Sequence, residues 1–236
     1  MVKDTMPKVD IGEITVHRPA LKKGMILVPL TMIAYGALSL DNGELKAIDR
    51  EVKEELWLEK SHKPLKIDNY LQWAPAAAVY GLNAVGIKGR HNFKDRSIIY
   101  GMSMAFMSGT VFATKHLSKQ LRPDDSNNQS FPSGHTANAF AGAEFLRREY
   151  WDTSPWIGVA GYAVAGITGY LRMYNNRHWM SDVVAGAGVG ILSTNLAYYL
   201  YPTVKKVFSG KKENNSNIVA PFYNQGAVGL SLVHNF

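Results

Sequence analysis

The chain contains no cysteine, which excludes disulfides, thiolate metal sites and a cysteine nucleophile together and leaves the redox compartment open. Charge is sparse as well. Charged residues make up 19% of the 236 positions against 46% hydrophobic ones, so wholesale disorder is excluded and a buried core is affordable. No change of composition marks off a second large domain. No internal repeat is visible, and no secretory leader of the usual form precedes the first apolar stretch.

What is present is a recurrence of six apolar stretches, at about 25–40, 71–87, 97–113, 136–146, 156–171 and 183–201. The predicted fold is all-α, a bundle of about six apolar helices. Most stretches run roughly 16–19 residues, near the lower limit for crossing a bilayer, and the fourth is shorter and carries Glu144. Small residues one turn apart, Ala165 with Gly169 and Gly186 with Gly190, permit close backbone approach between helices. The mean hydropathy of −0.14 is low for six spans and keeps a tightly packed soluble bundle open as the alternative.

Lys88, Arg90, Lys94 and Arg96, then Arg147 and Arg148, then Lys205, Lys206, Lys211 and Lys212 fall on one predicted side, the pattern of cytoplasmic loops. The opposite side, which bears the motifs described next, then faces outward. There, Leu45, Ile48, Val52 and Leu56 recur at helical spacing and predict an amphipathic helix lying over the bundle or on a membrane surface. Asn214, Asn215, Ser216 and Asn217 read as a linker. Beyond it, 218–223 and 227–236 flank Asn224, Gln225 and Gly226 as a β-hairpin, with Leu230, Leu232, His234 and Phe236 on one face. The expected organisation is an N-terminal segment 1–24, a helical domain 25–206 and a linker with hairpin 207–236.

Three polar blocks stand in order at the ends of apolar helices. Lys115 and Arg122 are two helical turns apart and share a face if the third helix continues to Pro123; two cations held together favour an anion between them. Pro132-Ser133-Gly134-His135 opens the fourth helix, where free amides and the positive helix end favour an anion. Ser133 can add a hydroxyl donor, Gly134 permits close backbone approach, and His135 can hand a proton to a departing oxygen. Arg172 ends the fifth helix with the paired donors that suit phosphate oxygens. His178 and Asp182 are four residues apart, so the carboxylate can orient the imidazole as nucleophile or base. Taken singly, each block has an ordinary structural explanation: a surface basic patch, a Ser-capped helix start, a His–Asp hydrogen bond.

Together they resemble the signature of the type 2 phosphatidic acid phosphatase superfamily, which includes lipid phosphatases, bacterial acid phosphatases and vanadium haloperoxidases. That signature runs Lys-x6-Arg-Pro, Pro-Ser-Gly-His, Ser-Arg-x5-His-x3-Asp, and the chain matches it from Lys115 to Asp182 except at Leu171, where the family usually has Ser. The resemblance implies that His178 is a nucleophile forming a phosphohistidine, Asp182 its partner and His135 the general acid. It assigns Lys115, Arg122, Arg172, Ser133 and the Gly134 amide to a phosphate clamp, and it implies no metal and no other cofactor. The run from Tyr174 to Trp179 is similar to a subgroup of bacterial envelopes, in which Arg177 and Trp179 would contact a headgroup.

The implied function is hydrolysis of a phosphomonoester or pyrophosphate. The apolar scaffold favours a lipid substrate of the lipid A, polyprenyl pyrophosphate or phosphatidate type, and an inner-membrane location with the site facing the periplasm. A soluble, periplasmic acid phosphatase of broad specificity is the alternative, followed by a vanadium haloperoxidase and a non-catalytic lipid-phosphate-binding protein. The net charge of +7 is distributed among loops and the clamp without a stripe or module, which excludes a nucleic-acid reading.

Overall fold

The computed structural model describes residues 23–59, 62–208, 218–224 and 227–233. The described residues divide into two compact units, one running up to Tyr201 and one starting at Pro202. The first is helical: α1 (Lys23–Ser39), α2 (Gly43–Lys53) continued by one π-helical turn (Glu54–Leu58), α3 (Asp68–Leu71), α4 (Ala74–Ala84), α5 (Phe93–Ser118), α6 (Gly134–Tyr150), α7 (Pro155–Tyr174) and α8 (Met180–Phe208), whose last turns belong to the second unit. The six predicted apolar helices are α1 and α4 to α8. In the second unit, β1 (Ile218–Asn224) and β2 (Ala227–Val233) pair antiparallel, from Ile218 opposite Val233 to Asn224 opposite Ala227. The segment 1–22, Lys211 and Lys212, the linker Asn214 to Asn217, Gln225 and Gly226, and His234 to Phe236 lie outside the described residues.

Local sequence explains the helix ends. Asn42 caps α2 by accepting from the amides of Glu44 and Leu45, Asn92 caps α5 through the Asp95 amide, and Pro155 begins α7, where its missing N–H costs nothing. The amphipathic helix predicted from Leu45, Ile48, Val52 and Leu56 is α2 with its π-helical turn. Leu45, Val52 and Leu56 are half-buried, whereas Ile48 is 38% exposed. The residue that α2 buries is a charged one, Asp49.

α6 runs through the middle of its unit, buried along most of its length, with α7, α4 and α8 around it. Gly186 and Gly190 let α8 lie against it: a Cβ on Gly186 would sit 2.5 Å from the Ser133 carbonyl, and one on Gly190 would collide with the Ala137 carbonyl. Glu144 is tolerated inside the bundle because Arg147, Arg148 and the Tyr162 hydroxyl all donate to it. Arg96 and Arg148 therefore do not behave as simple loop charges. Arg148 turns inward onto Glu144, and Arg96, 2% exposed, lies beside Glu149.

Two helices among the described residues are long and apolar enough to cross a membrane, Phe93–Ser118 and Met180–Lys206, and a third span is possible if the bent pair Lys23–Ser39 and Gly43–Leu58 counts as one. They differ in environment. Only 22% of the apolar window of α5 is buried in the protein, against 67% of that of α8. α5 therefore turns its apolar surface outward, and α8 serves as a packed core element.

Candidate active site

The site is assembled where the C-terminal ends of α5 and α7 meet the N-terminal ends of α6 and α8. α5 stops four residues short of Pro123, earlier than expected. Lys119 adopts a left-handed conformation (φ 47°) and its amide closes on the Lys115 carbonyl, which ends the helix at Ser118. Lys115 and Arg122 consequently do not share a helical face. Arg122 is carried by a loop, held by bonds from the Arg122 amide to the Asn127 carbonyl (3.0 Å) and from the Ser130 amide to the Gln120 carbonyl (2.9 Å). Lys115 Nζ donates to the carbonyls of Gln129 (2.5 Å) and Ser130 (3.1 Å), so it also fixes the far end of that loop.

Ser133 is the N-cap of α6. Its hydroxyl meets the Thr136 hydroxyl at 2.8 Å and accepts weakly from the Thr136 amide, and its own amide donates to the Asp182 carbonyl at 3.0 Å. The hydroxyl expected as a donor is thus committed to the helix start. The close backbone approach expected at Gly134 is not made by protein atoms either, because a Cβ there would meet only Val111 Cγ1 at an ordinary 3.7 Å. The next residue, His135, pairs its Nε2 with Asn69 Oδ1 at 2.9 Å.

At the other side of the site, the amides of Arg177 and His178 both close on the Arg172 carbonyl, a turn that brings His178 back towards Arg172. α8 begins at Met180, so His178 lies just outside the helix, and its Nδ1 is 3.4 Å from Asp182 Oδ2. That distance is long because Asp182 Oδ2 is shared. It accepts from the Ser130 hydroxyl at 2.5 Å and from the Trp179 amide at 2.9 Å, and Ser130 Oγ is itself 3.5 Å from His178 Nδ1. With Nδ1 turned towards Asp182 and Ser130, Nε2 is the nitrogen left for chemistry. His178 is 3% exposed and Asp182 fully buried.

Arg172 donates through one terminal nitrogen to Asp68 Oδ2 at 2.5 Å, while its Nε is buried with no hydrogen-bond partner; the Nε of Arg122 is in the same condition. Two buried guanidinium donors without acceptors are costly unless an anion takes them up. Electrostatics follow from this crowding. Burial, then the charges of Arg172, Lys115 and Arg122, hold His178 well below its usual range, so its ring is neutral at physiological pH. Burial and the same cations lower His135 to about 4, with Asp68 opposing them. Arg122 is lowered by burial and by Arg172. An anion bound among these cations would oppose their effect on both histidines.

The structure thus brings Lys115, Arg122, His135, Arg172, His178 and Asp182 into one electrostatically coupled cluster, with Ser133 as a cap and Gly134 beside it. Arg177 and Trp179, expected at a headgroup, hold the 119–130 loop instead: Arg177 pairs with Asp124 at 2.7 Å and Trp179 Nε1 donates to the Leu121 carbonyl at 2.8 Å. Residues that sequence reasoning missed are Ser130, Asp68, Asn69 and Asp49, which accepts from both the amide and the hydroxyl of Ser181. Ser130 stands two residues ahead of the Pro132-Ser133-Gly134-His135 turn and was a detectable hydroxyl. Asp49 lies inside the predicted amphipathic helix and Asp68 and Asn69 beyond it, and the apolar spacing there does not say which polar residue is buried or what it bonds.

Comparisons with known proteins bear on the same segment. Residues 96–206 match the model of the PAP2 superfamily. A lipid A 1-phosphatase of Porphyromonas gingivalis is 35% identical over 195 residues, which cover 82% of this chain and 41% of that protein. The chain thus spans about two fifths of the length of this curated relative. Among solved structures, a transmembrane PAP2-type phosphatidylglycerolphosphate phosphatase from Bacillus subtilis is similar with a TM-score of 0.48 at 16% identity, covering 81% of this chain and 100% of that one. LpxE of Aquifex aeolicus gives a TM-score of 0.43 at 19% identity, covering 72% and 94%. The signature blocks from Lys115 to Asp182 lie inside the segment that is similar to the PAP2 superfamily.

Proposed function

We propose that the protein is a metal-independent phosphatase that releases phosphate from a membrane lipid, with a sugar-linked phosphate of the lipid A type as the favoured substrate. The observation that carries this reading is the pair of buried Nε donors on Arg122 and Arg172, without acceptors, beside a neutral, enclosed His178. Such a pocket suits a phosphoryl group, whose transfer needs positioned donors on its equatorial oxygens more than elaborate covalent chemistry. The substrate class is supported by the name of the Porphyromonas gingivalis relative.

In the proposed mechanism, Lys115, Arg122, Arg172 and the Gly134 amide hold the phosphoryl oxygens. His178 Nε2 attacks phosphorus; a P–N bond forms as the P–O bond to the lipid breaks, and His135 gives its proton to the departing oxygen. Ring positive charge on His178 is balanced by Asp182 through Nδ1. A water, deprotonated by His135, then attacks the phosphohistidine, the P–N bond breaks and inorganic phosphate leaves. The cationic clamp supplies the charge stabilisation that a metal ion supplies in other phosphatases.

The membrane setting is part of the same reading. α5 presents apolar surface to its surroundings, and exposed aromatic residues occur at both ends of the bundle: Tyr70 and Trp73 near the site, Trp151 and Trp156 at the far end. This is the placement favoured at bilayer interfaces. Lys88, Arg90 and Lys94 at the far end support a cytoplasmic assignment for that end, so the site would face the periplasm.

The test is phosphate release in detergent, with EDTA present, from lipid A, a polyprenyl pyrophosphate, phosphatidate and an aryl phosphate, alongside His178→Ala. Release from lipid A that EDTA leaves intact and His178→Ala abolishes is the expected result. Turnover unaffected by His178→Ala, or lost in EDTA, would overturn the mechanism, and a preference for the aryl phosphate would overturn the lipid assignment.

A further inference from the structure

One short element touches two of the assigned groups. α3 begins with Asp68, 1% exposed, whose carboxylate takes the Arg172 guanidinium, and continues with Asn69, whose side-chain oxygen takes His135 Nε2 at 2.9 Å. The turn is itself anchored to the segment that leads to His178. The Leu65 amide donates to Asn175 Oδ1 at 2.8 Å, and Asn175 Nδ2 donates back to the Leu65 carbonyl at 2.7 Å. His62 stacks on Tyr174 with ring centroids 3.8 Å apart and bonds the Tyr174 carbonyl.

We propose that Asp68 and Asn69 are positioning residues: from one docked turn they fix the Arg172 guanidinium and the His135 ring, and Asp68 supplies negative charge that offsets the cationic clamp. For its role in turnover this rests on the phosphatase reading above.

Asp68 holds a terminal nitrogen of Arg172 and leaves Nε unpaired, so the guanidinium is oriented without using up its donors. The groups acting on His135 come from several elements: Lys115 from α5, Arg122 from the loop, Arg172 from α7, and Asp68 from α3 as the opposing charge. His178 and Asp182 lie beyond them in the same cluster. A general acid surrounded by three cations must still carry a proton when the leaving group departs. Asp68 and the bound phosphoryl group act together to allow it, and Asn69, accepting the Nε2 hydrogen, sets the ring's angle and leaves Nδ1 as the nitrogen that carries the transferable proton.

The full chain in detergent, as wild type, Asp68→Asn and Asn69→Asp, is compared by two readouts: NMR titration of the His135 ring with inorganic phosphate present, and the pH dependence of kcat and KM. Removing one nearby charge should lower the His135 midpoint by about one pH unit, and adding one should raise it. The basic limb of kcat moves in the same two directions. Above that limb Asp68→Asn should then be roughly tenfold slower than wild type, converging with it towards acid, with KM changed less than kcat.

Midpoints that stay put in both folded variants would overturn the proposal. So would losses of activity equal at every pH, the mark of a purely structural role. If Asp68→Asn does not fold, Asn69→Asp carries the test alone. A wild type that releases no phosphate while the midpoints move as expected would sink the phosphatase reading and leave this one standing. An active wild type, inactive as His178→Ala, with fixed midpoints would sink this one alone.

Discussion

Gly186→Ala isolates the contact between α8 and the start of α6. The added Cβ would lie 2.5 Å from the Ser133 carbonyl oxygen, a backbone atom, so no side-chain rotation can relieve the contact and the helices must move apart. Overpacking of this kind costs about 1–3 kcal/mol, while replacing a mid-helix glycine by alanine returns about 1 kcal/mol of helix propensity. A net loss of up to ~2 kcal/mol follows from those two opposing effects. Gly101→Ala is the matched control: Gly101 lies within α5, nothing stands within 4 Å of its Cβ position, and the propensity gain is unopposed. Because the Ser133 amide is bonded to the Asp182 carbonyl, the displacement also reaches the histidine pair. A shift of about 1 Å can cost ~100-fold in rate, and a fraction of that shift should cost about tenfold in kcat. Thermal unfolding in detergent and phosphate release on both variants form the assay. If Gly186→Ala matched Gly101→Ala in stability and rate, the close approach of α8 to the Ser133 turn could not be what shapes the site.

Ser130→Ala removes the hydroxyl that donates to Asp182 Oδ2, leaving that buried oxygen with the Trp179 amide and the distant His178 ring. A lost buried hydrogen bond of this type should lower kcat by about tenfold or more with little change in KM, measured by steady-state phosphate release. Acid should weaken the folded chain through its two enclosed histidines. His135 and His178 are both held below 6.5, so between that value and about 4 for His135 these rings bind more protons in the unfolded chain, and their contribution to stability falls as pH falls. Between pH 7.5 and pH 5 the unfolding temperature should therefore change less favourably with acid in wild type than in His135→Gln, and inorganic phosphate should narrow that difference; identical pH dependence in the two would contradict the charge state assigned to His135.

Six helices and most residues of the candidate site were legible in the sequence because both depend on local or short-range order. Apolar stretches of 11 to 19 residues mark helices whatever packs on them, and Lys115, Pro132 to His135, Arg172, His178 and Asp182 lie at helix ends whose positions those stretches define. The error at Arg122 came from treating a spacing of seven as helical. The left-handed Lys119 breaks the helix first, and a lysine in that conformation has no sequence signature of the kind that glycine provides.

The order of the chemistry-bearing residues, their attachment to apolar helices and the small residues that let α8 approach α6 are written in the chain. Which polar groups share a hydrogen bond is settled by folding. Asp68 and Arg172 are 104 residues apart, Asn69 and His135 are 66 apart, and Ser130 and Asp182 are 52 apart. Such partners are chosen by how far each helix end protrudes and how the intervening loops close. The physical reason is that a buried charge must find compensation somewhere, but nothing local in the chain says from which element it will come.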